Sequence, residues 1–313
     1  MKKHIYIYSP SGAIRDKSSF KRGVRYLEAL NFEVEVDLDA LTSFQRFAGS
    51  DEIRIAAIHR AAASGADIAM ISRGGYGLTR LLGKINYKAL HRAVSKGTQF
   101  VGLSDFTALQ LAMFSQTGAT SWAGPSLMDD FGTPKADDGA TVEPDDIMVD
   151  CFNDLVIGQG EGTGWRLGLD SVLVKPQVHI KDAVLWGGNL TVLTSLIGTP
   201  YLPDVSGGVL FLEDVAEHPY RIERMLTQML HAGILNRQKA IVLGQFTGYK
   251  LNSHDRGFKF RAVLDWLRNQ ANVPILTNLP FGHVQTKVVL PVGLKVDLVV
   301  EDRDALLLWS AAH

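Results

Sequence analysis

The chain has 313 residues, 46% of them hydrophobic, and a formal net charge of -1 with acidic and basic residues interspersed. That size supports a large core and usually divides into two domains, and without a basic stripe nucleic acid is excluded as a main partner. The single cysteine, Cys151, excludes an intrachain disulfide and any multi-cysteine zinc site, and fits a reducing compartment.

In chain order, a strand is predicted over 4–8, an amphipathic helix over 17–30, a strand over 32–36 and a helix over 51–63 capped by Ser50. The apolar run 67–72 reads as a buried strand. A helix over 87–95, a buried strand over 99–103 and a helix over 106–116 closed by Gly118 follow. This alternation predicts a doubly wound, largely parallel sheet. The stretch 129–164 is rich in Gly, Pro and Asp, with a helical pattern at 145–156. It is expected to connect a first domain, 1–128, to a second, 165–313. The second domain reads as strand-like pieces over 165–184, a helix over 190–197, a strand over 209–212 and a helix over 220–231. A strand over 240–246, a helix over 261–269, a short strand over 274–277 and a hairpin over 288–300 around Pro291-Val292-Gly293 complete it. It is α/β with more antiparallel character than the first. Lys2 and Lys3 precede an apolar stretch too short for a signal peptide, and no window reaches a membrane span of roughly 20 apolar residues, so a cytoplasmic protein is expected.

Chemistry concentrates at a few turns. In Gly102-Leu103-Ser104-Asp105-Phe106 a serine sits where a buried strand turns into a helix, a geometry that lifts a hydroxyl and aims the first helical amides at one point. Phe106 stands where a nucleophile elbow usually has its second glycine, so a simple N-cap role for Ser104 stays open. Arg73-Gly74-Gly75-Tyr76-Gly77 follows another buried strand, and its glycines allow close approach to a ligand in the same crevice, with a Gly74 or Gly75 amide as a second oxyanion donor. It fits neither a phosphate loop nor a dinucleotide fingerprint. A serine nucleophile needs a base. His283, in the loop Leu279-Pro280-Phe281-Gly282-His283, is the candidate. A strand ending in Glu213-Asp214 supplies two candidate acids between which local spacing does not choose. The chain order serine, acid, histidine is that of α/β-hydrolase triads. No zinc motif occurs, so no metal and no cofactor are expected.

With Ser9-Pro10-Ser11-Gly12, Trp186-Gly187-Gly188-Asn189-Leu190 and Phe211-Leu212-Glu213-Asp214, these blocks resemble the LD-carboxypeptidase family of serine peptidases nearly end to end. That family also contains the immunity enzymes that cleave microcin C-type peptidyl nucleotides. The resemblance implies a Ser104–Glu213–His283 triad and an oxyanion hole from the amides of Asp105 and Gly75. It implies a flavodoxin-like N-terminal domain, a swivelling β/α C-terminal domain with the site between them, and a homodimer. The implied activity is release of terminal D-alanine from a murein tetrapeptide in cell-wall recycling; the alternative is a microcin-type peptidase. Arg73 is a candidate for the substrate carboxylate or else an exposed structural arginine, Gly74 is a candidate for backbone contact, and Trp186 either stacks on substrate or belongs to an interface or the core, while Asn189 reads as a helix N-cap. The first block departs from the family, with Tyr-Ser-Pro-Ser-Gly where an apolar-Ala-Pro pattern is usual.

Overall fold

Short runs that are apolar throughout have to be covered on both faces, and these build the centre of the first sheet. The computed structural model describes residues 2–133, 142–169 and 177–309; the expected connection over 129–164 and the strand-like pieces over 165–184 lie partly outside them. The first part runs β1 (His4–Tyr8), α1 (Lys17–Ala29), β2 (Glu33–Val36), α2 (Asp51–Ala63), β3 (Ile68–Ile71), α3 (Tyr87–Ser95), β4 (Gln99–Gly102), α4 (Thr107–Thr117) and β5 (Ser121–Ala123). Every residue of β3 is buried, as are Phe100 to Gly102 of β4. The parallel strands lie in the order β2-β1-β3-β4-β5, that of a flavodoxin-like doubly wound sheet. Ser50 caps α2, and Gly118, at φ 70°, ends α4 in the left-handed conformation.

A π-helical turn, Leu127–Phe131, packs against α1, and α5 (Asp146–Ile157) follows. The second part contains β6 (Gly162–Arg166), β7 (Gln177–Asn189), α6 (Leu190–Ser195), β8 (Val209–Val215), α7 (Pro219–His231), β9 (Ala240–Thr247), α8 (Phe260–Gln270) and β10 (Ile275–Leu276). The chain ends with β11 (Leu290–Val292), β12 (Lys295–Glu301) and β13 (Asp304–Leu308). The second sheet is seven-stranded, in the order β10-β9-β8-β7-β12-β13-β6. It is parallel from β7 to β10 and antiparallel through β12, β13 and β6. Burial alternates along β12 and β13, as it must when one face meets solvent.

The expected hairpin over 288–300 does not form. β11 leaves the second half and pairs antiparallel with β5 at the edge of the first sheet, while β12 returns to the second sheet beside β7. Leu290–Val292 is wholly buried, so it needs cover that a surface hairpin lacks. Pro291 has no N–H to donate and is tolerated on an edge strand. The hairpin forms instead between β12 and β13. No helix among the described residues is long and apolar enough to cross a membrane.

Candidate active site

Ser104 stands at the end of β4, on the first residue of a 3₁₀ turn, Ser104–Phe106, that leads into α4. Its φ is 65°, in the left-handed region, which costs a non-glycine residue on the order of 1 kcal/mol. Its side chain caps neither the turn nor α4, so the N-cap reading does not hold. The strained turn instead leaves Ser104 partly exposed just past the C-terminal end of β4.

Asp105 fixes this turn from beneath. Its buried carboxylate accepts the Ser11 hydroxyl at 2.8 Å and the Leu78 amide at 3.0 Å. Burial raises its pKa, against the pull of these hydrogen bonds. Three sequence blocks, around Ser11, Gly77 and Ser104, thus meet at one side chain. Gly74 lies directly over the turn: a Cβ there would sit 2.8 Å from Ser104 Oγ and 3.7 Å from the Asp105 amide nitrogen. The missing side chain keeps open the space in front of both groups. Gly75 (φ 128°) packs on Gly12, where a Cβ would lie 3.0 Å from the Gly12 Cα.

The other half of the site grows from the C-terminal ends of β7 and β8. Glu213 is fully buried, and its Oε2 lies 2.8 Å from His283 Nδ1. An ionised carboxylate only accepts, so Nδ1 carries the proton and Nε2 is left as the basic nitrogen. Burial pulls the imidazole pKa down, but the hydrogen bond and charge of Glu213 outweigh it. With Asp129 adding and Lys287 opposing, His283 is held above the ordinary histidine range. Gly282 (φ 140°) makes the approach possible, since a Cβ there would come within 3.2 Å of Glu213 Oε2. His283 makes no hydrogen bond to Ser104 among the described residues; such bonds are often long in substrate-free sites and tighten on binding.

Asn189 is the helix N-cap that the sequence suggests, but it also joins the halves, which sequence reasoning missed. Asn189 caps α6 through Val192, and its amide Nδ2 also reaches Glu213 Oε1 and Asp214 Oδ1, both at 3.1 Å. Its backbone N–H donates to Thr107 Oγ1 at 3.1 Å, on the helix that begins beside Ser104. Asp214 points away from the imidazole to Thr191; burial pushes it up to about 6, against the Thr191 hydrogen bonds and with the Glu213 charge adding to the rise. The only available signal was the position of Asn189 at the end of a double-glycine strand.

The candidate substrate contacts Trp186 and Arg73 stand differently from one another. Trp186 is 1% exposed and its indole N–H donates to Gln238 Oε1 at 3.0 Å. It is a core residue with no face free for stacking, so of its two readings the stacking role falls and the core one holds. Arg73 braces the Ala13 carbonyl at 3.0 Å and, with Arg15, Arg22, Met128 and Asp129, lines an open pocket of about 340 Å³. Among the described residues no group of three or more His, Cys, Asp or Glu side chains is placed to hold a metal ion.

Comparison with known proteins matches residues 5–124 to the LD-carboxypeptidase N-terminal domain and residues 182–298 to the LD-carboxypeptidase C-terminal domain. The chain belongs to the LD-carboxypeptidase family. This carboxypeptidase is 30% identical to a putative carboxypeptidase of Synechocystis over 94% of its own length and 90% of that protein. The crystal structure of muramoyltetrapeptide carboxypeptidase from Oxalobacter formigenes matches with a TM-score of 0.84 and 37% identity, covering 97% of this chain and 98% of that one. The microcin C7 self-immunity protein MccF, in its wild-type apo structure, shares the fold at a TM-score of 0.83 and 20% identity, over 99% of this chain and 97% of that one.

Proposed function

We propose that this carboxypeptidase cleaves an L,D-peptide bond and releases terminal D-alanine from a murein tetrapeptide. The observation that carries the reading is the buried Glu213 carboxylate bonded to His283 Nδ1, which Asn189 links through Thr107 to the helix that follows the strained Ser104. Ser104 Oγ attacks the carbonyl of the penultimate residue. His283 Nε2 takes the hydroxyl proton and later returns it to the leaving amine, which departs as D-alanine. Glu213 holds the ring and stabilises the imidazolium. The amides of Asp105 and Gly75 receive the tetrahedral oxyanion, each worth roughly 3 kcal/mol in such sites. Water, activated by the same imidazole, then releases the tripeptide.

In this reading residues 1–128 supply the nucleophile and oxyanion hole, and 165–313 supply the acid and base. The reaction uses no metal and no cofactor. A carboxypeptidase must recognise a free carboxylate, and Arg73, at the rim of a pocket with two further arginines, has the chemistry for it. The murein substrate is favoured by the 37% identity to a muramoyltetrapeptide enzyme. A cytoplasmic homodimer serving cell-wall recycling completes the proposal.

The test is D-alanine release from murein tetrapeptide by the wild type and by Ser104→Ala. Loss of about 10⁴-fold or more in kcat is expected for the folded variant. Undiminished turnover would remove Ser104 as nucleophile. Turnover confined to a peptidyl nucleotide would replace the substrate and keep the triad.

A further inference from the structure

The loop that carries His283 is also the stretch of chain that passes from one sheet to the other, leaving the second at β10 and entering the first at β11. Its neck is closed by the Val288 N–H, which donates to the Pro280 carbonyl at 2.8 Å. On one side Gln245 of β9 holds it: its backbone N–H donates to Phe281 O at 2.8 Å and its Nε2 to Leu279 O at 3.0 Å. On the other side Thr286 Oγ1 donates to Asp145 Oδ2 at 2.6 Å, and Lys287 Nζ donates to Asp130 Oδ1 at 2.5 Å. Lys287 and Asp130 are 2% and 4% exposed. Asp130 Oδ2 also accepts the Ser126 amide at 2.7 Å, so its carboxylate cannot swing.

A buried ion pair is a poor source of stability. Desolvating both charges offsets most of their attraction, and apolar residues of similar volume often hold a structure as well or better. What such a pair offers instead is one preferred geometry, because separating the partners leaves each charge buried and uncompensated. Here it sits between the π-helical turn of the first half and the loop that presents the imidazole. Resting on the serine-peptidase reading above, we propose that the Lys287–Asp130 pair is a positioning device that registers the His283 loop against the half bearing Ser104. The charged groups that face the imidazole are Glu213 from β8, Asp129 from the π-helical turn and Lys287 from its own loop. Lys287 therefore acts on His283 through charge as well as through position.

The test compares the wild type, Lys287→Met and the apolar pair Lys287→Met/Asp130→Leu by thermal unfolding, D-alanine release from murein tetrapeptide, and ¹³C NMR titration of His283 assigned with His283→Gln. Lys287→Met strands a buried carboxylate and is expected to be the least stable. The double variant is expected to unfold near the wild-type temperature and keep KM within about threefold, while kcat falls about 10²-fold. Its His283 titration should move from the wild-type midpoint, because the loop loses its register and the Lys287 and Asp130 charges are both gone. A folded double variant with wild-type kcat and wild-type titration overturns the proposal and reduces the pair to core filling. If the double variant does not fold, Asp130→Glu decides, since it keeps both charges and lengthens one arm: lower kcat at unchanged KM supports registration, and unchanged kcat refutes it. If the wild type releases no D-alanine from any murein peptide, the substrate reading fails by itself. The NMR comparison still decides the pair: a displaced His283 midpoint in the double variant supports it, and an unmoved one refutes it.

Discussion

The backbone N–H of Asn189 donates to Thr107 Oγ1 across 3.1 Å, and through that bond the half that carries Glu213 is tied to the helix that starts beside Ser104. Both residues are buried, Thr107 at 1% and Asn189 at 5% exposure. Gly188 is pressed onto the same hydroxyl, since a Cβ there would lie 2.6 Å from it. Thr107→Val keeps the shape and removes the acceptor, leaving a buried N–H unpaired at a cost of roughly 1–3 kcal/mol. The expected outcome is a lower urea midpoint and a kcat reduced roughly tenfold as the halves lose register. Thr107→Ser, which keeps the hydroxyl, should stay near wild type in both. Equal behaviour of the Val and Ser variants would show that the bond plays no part.

The pH dependence follows from the histidine's neighbours. Burial pulls His283 down, and the Glu213 hydrogen bond and charge more than reverse this. A general base must be neutral, so the acid limb of kcat/KM is expected at a pKa above the ordinary histidine value of about 6.5. Glu213→Gln should move that limb to lower pH and cut the plateau by about 10⁴-fold. The same contact bears on stability. The folded pKa is raised above the unfolded one, so the contribution is full below the unfolded value and is lost as pH rises through the folded one. A pH–rate profile whose acid limb is identical in both proteins would exclude His283 as the titrating base.

Much of the frame was legible because burial on both faces leaves a plain mark: the runs that became β1, β3 and β4 are apolar and short. The motifs pointed to His283 and left Glu213 and Asp214 open as its acid; the family resemblance chose Glu213, which the structure brings into direct contact with His283. Residues whose meaning is a contact between distant segments were not legible. Thr107 looks like any first-turn threonine, and Lys287 like any loop lysine, until the fold brings Asn189 and Asp130 to them. Trp186 stayed open between substrate and core for a related reason: an aromatic within a motif suggests a stacking surface, and sequence alone does not reveal that it is 1% exposed. Pro291-Val292-Gly293 misled because a turn signal and an edge strand use the same residues when the strand's partner lies far away.

Gly74 is predicted to be intolerant of any side chain for reasons of chemistry more than of folding. A Cβ at that position would sit 2.7 Å from Ser104 Cβ and 2.8 Å from its Oγ. Gly74→Ala should push the nucleophile off its position and block the space before the Asp105 amide, with a loss on the order of 10²-fold in kcat/KM. Circular dichroism and the thermal midpoint should change little by comparison. Full activity in the alanine variant would mean that the reacting carbonyl does not occupy this space.

Ser104 itself offers a thermodynamic test that does not depend on knowing the substrate. Its φ of 65° is strained for every residue with a Cβ and costs glycine almost nothing. Ser104→Gly and Ser104→Ala both remove the hydroxyl and should both be inactive. They should part in stability: the glycine variant relieves the left-handed strain, and the alanine variant retains it with one polar atom fewer. In a helical or extended position the order would be reversed, because glycine is the poorer residue there by roughly 0.5–1 kcal/mol. The expected result in urea is a midpoint for Ser104→Gly at or above that of Ser104→Ala, by about 1 kcal/mol. An alanine variant that is the more stable of the two would mean that the turn relaxes out of the left-handed region in solution, and the amides that follow it would then not converge on one oxyanion.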